Sequence, residues 1–399
     1  MSFPATPRVI AIDCWPRRLG TLSSGRLSRA RVLAALALIG SSACNDPVTP
    51  TAPPDAEVVW SHSGNAAVGQ PYADDELVVF LTLDQTSVVA LDALTGAPRW
   101  EQRLPPPPGL ILRGTLTTNI VRFEDLVIVP RWDTYALDRA TGAIRWVFSE
   151  PPESGSGTLN VGLADDRLIV PGATGTLYAL DPRTGNLLWR AELGERPVRP
   201  AVLDGIIYVA TRAPLDPASV PLVGSGRAAA VDAATGDVLW NVSLPELDLT
   251  LGAIGGTVGP LSPSEHAVLG AGITGRVFAL DRATGTLLWE SPGAGPYFAG
   301  LVVPGETVVT AGDAARVEGF DIGNGARVWT DAPGAPASHL ITRGNDAALI
   351  VAGALTAYDA SGQARWRYSG PVFTSSATYH NDRVYVGSTA GLHAVRRPE

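Results

Sequence analysis

Short apolar runs, each ended by turn residues, recur along the chain. The clearest stretch is 158–192. Leu177-Tyr-Ala-Leu180 is a β-prone run, residues 181–185 are turn-forming, and Leu187-Leu-Trp189 starts another strand. Upstream, an apolar run at 168–171 lies between an Asp165-Asp166-Arg167 turn and a Gly-bounded turn at 172–175. The pattern predicts four strands: A at 158–164, B at 168–171, C at 176–180 and D at 186–192. Further B-type runs stand at 126–129, 206–209, 348–351 and 384–386.

The C-to-D turn is nearly constant. An Asp opens it, a Gly closes it and a Trp follows on strand D. The copies are Asp92, Gly96, Trp100; Asp138, Gly142, Trp146; Asp181, Gly185, Trp189; Asp232, Gly236, Trp240; Asp281, Gly285, Trp289. Two looser copies follow, Asp321, Gly325, Trp329 and the one-residue-shorter Asp359, Gly362, Trp366. The Asp carboxylate can accept backbone N–H bonds two residues on, closing an Asx-type turn. The Gly supplies the positive φ of a tight hairpin. The Trp offers a large ring to anchor an outer strand. The Asp and Thr of the phrase therefore read as turn chemistry, not catalysis.

Counting from Trp60, the tryptophans are spaced 40, 46, 43, 51, 49, 40 and 37 residues apart, the length of a four-stranded propeller blade. Seven complete copies end at Trp366. Runs at 373–379, 383–386 and 392–395 then supply strands A, B and C without D, and residues 57–60 supply a D alone. Joining the two ends predicts an all-β, eight-bladed β-propeller of four-stranded antiparallel blades, closed by the N-terminal strand, which removes the open sheet edge. Seven blades is the alternative.

Residues 1–44 differ from the rest. Six Arg stand against one Asp, then comes an apolar run at 32–39 and Gly40-Ser-Ser-Ala-Cys44, the layout of a bacterial secretion signal. The run is too short to span a bilayer as a helix. Ser41-Ser-Ala-Cys44 resembles a lipobox, with Ser at 41 where Leu is usual. Cys44 would then be the lipid anchor; ordinary cleavage after Ala43 is the other reading. Cys44 would be the sole Cys of the mature chain, so it could form no internal disulfide. A Pro-rich tether at 45–56 follows, and its ten residues 46–55 would reach roughly 30 Å if extended. The propeller then occupies 57–399.

Composition narrows the chemistry. Gly 43 and Pro 33 suit a turn-rich β protein. All 30 basic residues are Arg, so there is no Schiff-base Lys and no P-loop. Losing residues 1–44 moves the net charge from −9 to −14, which disfavours nucleic acid and anionic lipid surfaces. The acids Asp74-Asp75-Glu76, Glu124-Asp125 and Asp165-Asp166 precede B strands and read as solvated turns. His62, His266, His339, His380 and His393 show no zinc spacing, and no calcium loop is present. Gly-x-Ser-x-Gly occurs only as fragments such as Gly224-Ser-Gly226. No catalytic, cofactor or metal residue is assigned.

The phrase at 177–189 resembles the pyrroloquinoline-quinone-type propeller repeat, over about 57–399. One branch of that repeat family is the quinoprotein dehydrogenases. The other is the outer-membrane-protein assembly lipoproteins, non-catalytic eight-bladed propellers held by an N-terminal lipid. Signal, Cys44, spacer and length resemble the second. The resemblance implies a monomeric, non-catalytic scaffold without cofactor, facing the periplasm from the outer membrane and binding protein partners. The alternative is a soluble periplasmic quinone- or sugar-binding propeller related to the dehydrogenases. Blade tracing puts A–B and C–D turns on one face. The long insertions 105–109, 151–157, 213–226 and 245–257 fall on the other, where partners are expected.

Overall fold

The computed structural model of the chain describes residues 52–64, 66–106, 118–150, 160–212, 226–244, 260–272, 275–295, 300–312, 315–343, 346–351 and 354–398. Regular structure among them is entirely β, arranged in seven sheets. Six sheets have four or five strands in antiparallel order and span 121–148, 162–192, 196–243, 262–292, 301–331 and 337–369. The seventh has eight strands. It combines the four strands of 67–103 with Phe373–His380, Arg383–Ser388, Gly391–Arg396 and Glu57–Ser63. The two halves are joined by a parallel bridge between Gly69 and Ser375, by the Thr374 hydroxyl donating to Ala67 O (2.7 Å), and by a shared apolar core. The arrangement is of propeller type.

The stretch that carried the sequence reading folds as Gly162–Ala164, Arg167–Pro171, Thr176–Leu180 and Leu187–Glu192. The expected start of strand A at 158 lies outside the described residues. At the chain ends, Glu57–Ser63 runs antiparallel to Gly391–Arg396, with Glu57 opposite Arg396 and Ser63 opposite Gly391. His393 bridges this seam between Ser61 Oγ (2.9 Å) and Ser388 Oγ (2.7 Å). Residues 54–56, at the end of the expected tether, pair with Arg367. Ala56 N donates to Arg367 O (2.7 Å) and Arg367 N to Pro54 O (3.0 Å).

The cores lie between sheets. Leu126–Pro130 and Thr176–Leu180 are buried along both faces, the continuous apolar reading of a strand covered on two sides. Val127, Val129 and Leu137 pack on Val79, Leu81 and Ala90 of the preceding sheet, and Ile169 and Leu177 pack on Ile207 and Val209 of the following one. Each such side chain contributes about 1.5–3 kcal/mol on burial. Outer strands such as Leu187–Glu192 expose most of their residues.

Candidate functional site

The repeated turn is built as its residues require. In the first copy Asp92 Oδ1 accepts from Leu94 N (3.1 Å), Thr95 N (2.9 Å) and Thr95 Oγ1 (2.8 Å), while Gly96 N donates to Asp92 O (2.9 Å). The same set recurs at Asp138, Asp232 and Asp281. It is thinner at Asp181 and Asp321, and at the shorter turn Asp359 Oδ1 accepts instead from Ser361 N, Ser361 Oγ and Gln363 N. The closing glycines have φ between 71° and 84°. These bonds hold the Asp92 carboxyl at about 2, with the Thr95 hydroxyl and Arg99 as the leading causes.

The tryptophans do something the sequence reading did not assign them. Each reaches beyond its own hairpin to the next unit's turn. Trp60 Nε1 donates to Ala93 O, Trp100 to Arg139 O, Trp146 to Pro182 O and Trp189 to Ala233 O. Trp240 donates to Arg282 O, Trp289 to Ile322 O and Trp329 to Ala360 O, all at 2.8–3.1 Å. In each case the acceptor is the carbonyl next after the turn Asp. The ring also covers the turn Gly: a Cβ on Gly185 would lie 2.7 Å from the Trp146 ring. The Asp–Gly–Trp phrase is thus a latch between units. Among the described residues Trp366 makes no such bond; it is buried in a core that includes Ala56.

Ion pairs stitch the same face. Arg139, which follows Asp138, reaches back to Asp74 (2.8 Å) and Glu76 (2.7 Å) of the first unit. Arg282 reaches Asp204 (2.8 Å) and Tyr208 Oη (3.2 Å), and Arg183 pairs with Glu124 while lying 4.9 Å over the Phe123 ring. Asp74 corrects the reading of the acids as solvated turns, because it is only 9% exposed. Burial alone would raise its carboxyl. Hydrogen bonds from Tyr72, the Leu77 and Glu76 amides and Arg139 outweigh that and hold it at about 2. Tyr72 is pushed up to about 12 by burial and by its bond to Asp74. Asp75 bonds His380 Nε2 (2.8 Å) and Asn381 Nδ2 (2.7 Å), beside a small cleft of about 80 Å³. A–B and C–D turns therefore share one tightly joined face.

The four long insertions are expected on the other face. Of the four, residues 107–117, 151–159, 213–225 and 245–259 lie outside the described residues. Their flanks are described and converge on B–C turns. Leu104 N donates to Thr86 O and Leu244 N to Gly226 O (both 2.9 Å), and Glu150 Oε2 accepts from Ala173 N (3.0 Å). Cys44 also lies outside the described residues.

Other chemistry is sparse. A cleft of about 350 Å³ between Glu57–Ser63 and the first unit is lined by His62, Phe80, Val89, Arg99, Trp100 and Glu101, among others. Among the described residues the hydrogen-bond partners of the His393 ring are two hydroxyls, Ser61 Oγ and Ser388 Oγ. Among the described residues no group of three His, Cys, Asp or Glu converges as a metal set.

The family model described as outer membrane protein assembly factor BamB matches residues 45–146, 131–214 and 224–370. The chain belongs to this family. No curated protein matches it. Among solved structures it is similar to BamB from Moraxella catarrhalis, at 19% identity with TM-score 0.61, covering 86% of this chain and 98% of that one. It is also similar to the quinohemoprotein alcohol dehydrogenase from Comamonas testosteroni, at 16% identity, TM-score 0.62, covering 86% and 78%. A third is the computationally designed Ika8 protein, at 18% identity, TM-score 0.66, covering 86% and 100%. Identities this low speak for the fold.

Proposed function

We propose that this protein is an exported, non-catalytic scaffold of the bacterial envelope, tethered through a lipid on Cys44 and acting on protein partners in outer-membrane assembly. Membership of the assembly-factor family supports the role class. The observation that carries the site assignment is the inequality of the two faces. One is stitched by tryptophan latches and ion pairs and has little freedom to adapt. The other carries the flanks of all four long insertions, where a rigid scaffold presents variable loops. The eight-bladed, closed reading belongs to the same proposal, supported by the pairing of Glu57–Ser63 with Gly391–Arg396. Closure would keep the tether and the partner face on one rigid body.

The tests are direct. Mass measurement of the mature N-terminus should find diacylglycerol on Cys44; an unmodified N-terminus at residue 44 would sink the anchor. Photo-crosslinkers placed at Pro106 and Gly226 should capture envelope proteins from intact cells, while crosslinkers at Thr141 and Thr284 on the latched face should not. Equal capture from both faces would remove the site assignment. The similarity to the alcohol dehydrogenase supports a second reading, a quinone-binding propeller. An absorbance change on incubating the purified protein with quinone and Ca²⁺ would favour it.

A further inference from the structure

Two residues beyond its tryptophan, an outer strand can meet the following unit at a fixed register position. Phe148 follows Trp146 at that interval, and its ring lies edge-on to Tyr178 with centroids 5.4 Å apart. Val242, beyond Trp240, shares a core with Phe278. Tyr368, beyond Trp366, lies 6.2 Å from the His393 ring. Tyr178, Phe278 and His393 are register equivalents, because each stands opposite the residue just after a Trp: Arg190, Glu290 and Ser61. At these three junctions a ring occupies that position.

The seam between Glu57–Ser63 and the first unit differs. His62 follows Trp60 at the same interval, and the register equivalent of Tyr178 is Val89, opposite Glu101. Val89 brings no ring, and His62 turns toward Phe80, 6.4 Å away between centroids. The cleft of about 350 Å³ is what remains. Buried Phe80 and Val89 form its floor, and exposed Pro98, Arg99 and Glu101 form its rim. Its volume is that of a small ligand site, which begins at about 300 Å³.

The charges at the rim do not balance. Arg99 is spent on its own turn, donating to Asp92 Oδ2 (2.5 Å). Among the described residues Glu101 has no hydrogen bond or ion pair, and His62 has no hydrogen bond. The cleft therefore joins an apolar floor to one uncommitted carboxylate, on a chain of net charge −9. A ring with a cation beside it complements both. The cleft is bounded by Gly64, where the strand Glu57–Ser63 ends, and by Glu101, beside the Leu104 flank of the first insertion.

We propose that this cleft receives an aromatic side chain of a protein partner, with a neighbouring Arg or Lys of that partner on Glu101. The proposal rests on the reading of the protein as a scaffold for protein partners. The partner's ring takes the place that Tyr178 fills against Phe148 two junctions on, lying over Val89 beside His62. A ring buried in a preformed gap is the kind of anchor that carries most of an interface's energy. The adjacent cation gives the Glu101 carboxylate its partner.

Isothermal titration of the purified protein with blocked dipeptides tests the cleft. Acetyl-Phe-Arg-amide should bind more tightly than acetyl-Ala-Arg-amide, which lacks the ring, and than acetyl-Phe-Glu-amide, which reverses the charge. Glu101→Gln should weaken the Phe-Arg probe by roughly fivefold and remove its advantage over Phe-Glu. Val89→Tyr fills the gap as Tyr178 does and should weaken binding by about tenfold or more, with Tm reporting whether the ring is accommodated. If Val89→Tyr folds poorly, the exposed change Glu101→Gln still decides. Phenethylamine, a free ring with a cation, should bind more weakly than Phe-Arg; equal binding makes the cleft a site for small amines and overturns the polypeptide partner. No binding of Phe-Arg, no loss on removing its ring, or binding unaltered in Glu101→Gln overturns the proposal. Phe-Arg binding without envelope capture at Pro106 and Gly226 would remove the partner-face reading and leave the cleft's ligand chemistry standing. Capture without Phe-Arg binding would do the reverse.

Discussion

At the residue scale, the turn Gly and the latch Trp act as a pair. Gly185 sits at φ 72° against the Trp146 ring. Gly185→Ala should cost about 1–2 kcal/mol for the left-handed backbone alone, and more if the indole is displaced; thermal denaturation checks it. Trp146→Phe loses the bond to Pro182 O, at a cost on the order of 1 kcal/mol, and part of the indole that covers Gly185. Two of the groups that shape the acid limb of stability are His339 and Asp74. His339 is pulled down to about 4 by desolvation, below its ordinary 6.5. The unfolded chain binds that proton first, so stability present above pH 6.5 is lost as pH falls through 4. Asp74 drops from 3.8 to about 2, so its contribution, on the order of 2 kcal/mol, is lost between about pH 4 and 2. Denaturant titrations across pH should show His339→Gln flattening the first window and Asp74→Asn flattening the second.

At the scale of the element, the outer strands carry a bulge just before each Trp. Trp189 pairs with Ala179 but Leu187 with Leu180, which leaves Leu188 unpaired and turned outward. Leu187 and Leu188 are consequently both exposed, as are Val238 and Leu239, and Leu287 and Leu288. In other units the bulge residue is Arg, and it returns to the turn Asp: Arg99 to Asp92 (2.5 Å) and Arg145 to Asp138 (2.7 Å). Replacing Leu188, Leu239 and Leu288 by Arg should extend this pairing. Tm is expected to change by no more than about 2 °C, because such exposed pairs contribute little. Binding of a hydrophobic dye should fall. The turn and the Leu-Leu-Trp run were legible in the sequence because their bonds join residues two to four apart. The bulge was not, since it exists only once the C strand fixes the register.

For the molecule as a whole, the decisive element is the strand Glu57–Ser63, which covers the edge of Gly391–Arg396 across the length of the chain. A chain beginning at residue 64 should expose that edge and lose His393's bond to Ser61. It is expected to aggregate or to unfold at lower temperature, read by size-exclusion chromatography and calorimetry. A circular permutant carrying residues 54–63 after 398 through a short linker should restore both. If the permutant fails while the truncated chain behaves as wild type, the closed-ring reading fails.

The amino-acid sequence by itself determined the strand lengths, the repeat, the Asp–Gly turns and the order in which the ends could meet. Those rest on local hydrogen bonds, on glycine's access to positive φ and on apolar runs sized to a buried strand. Tertiary structure alone decided which carbonyl each Trp finds, 31–44 residues away. It also decided that Asp74, which reads as a solvated turn acid, is locked by Arg139 from 65 residues on. And it decided that His62 and Val89 line an open cleft where Phe148 and Tyr178 meet ring to ring. Such partners are set by which units become neighbours and in what register, and no local pattern encodes that.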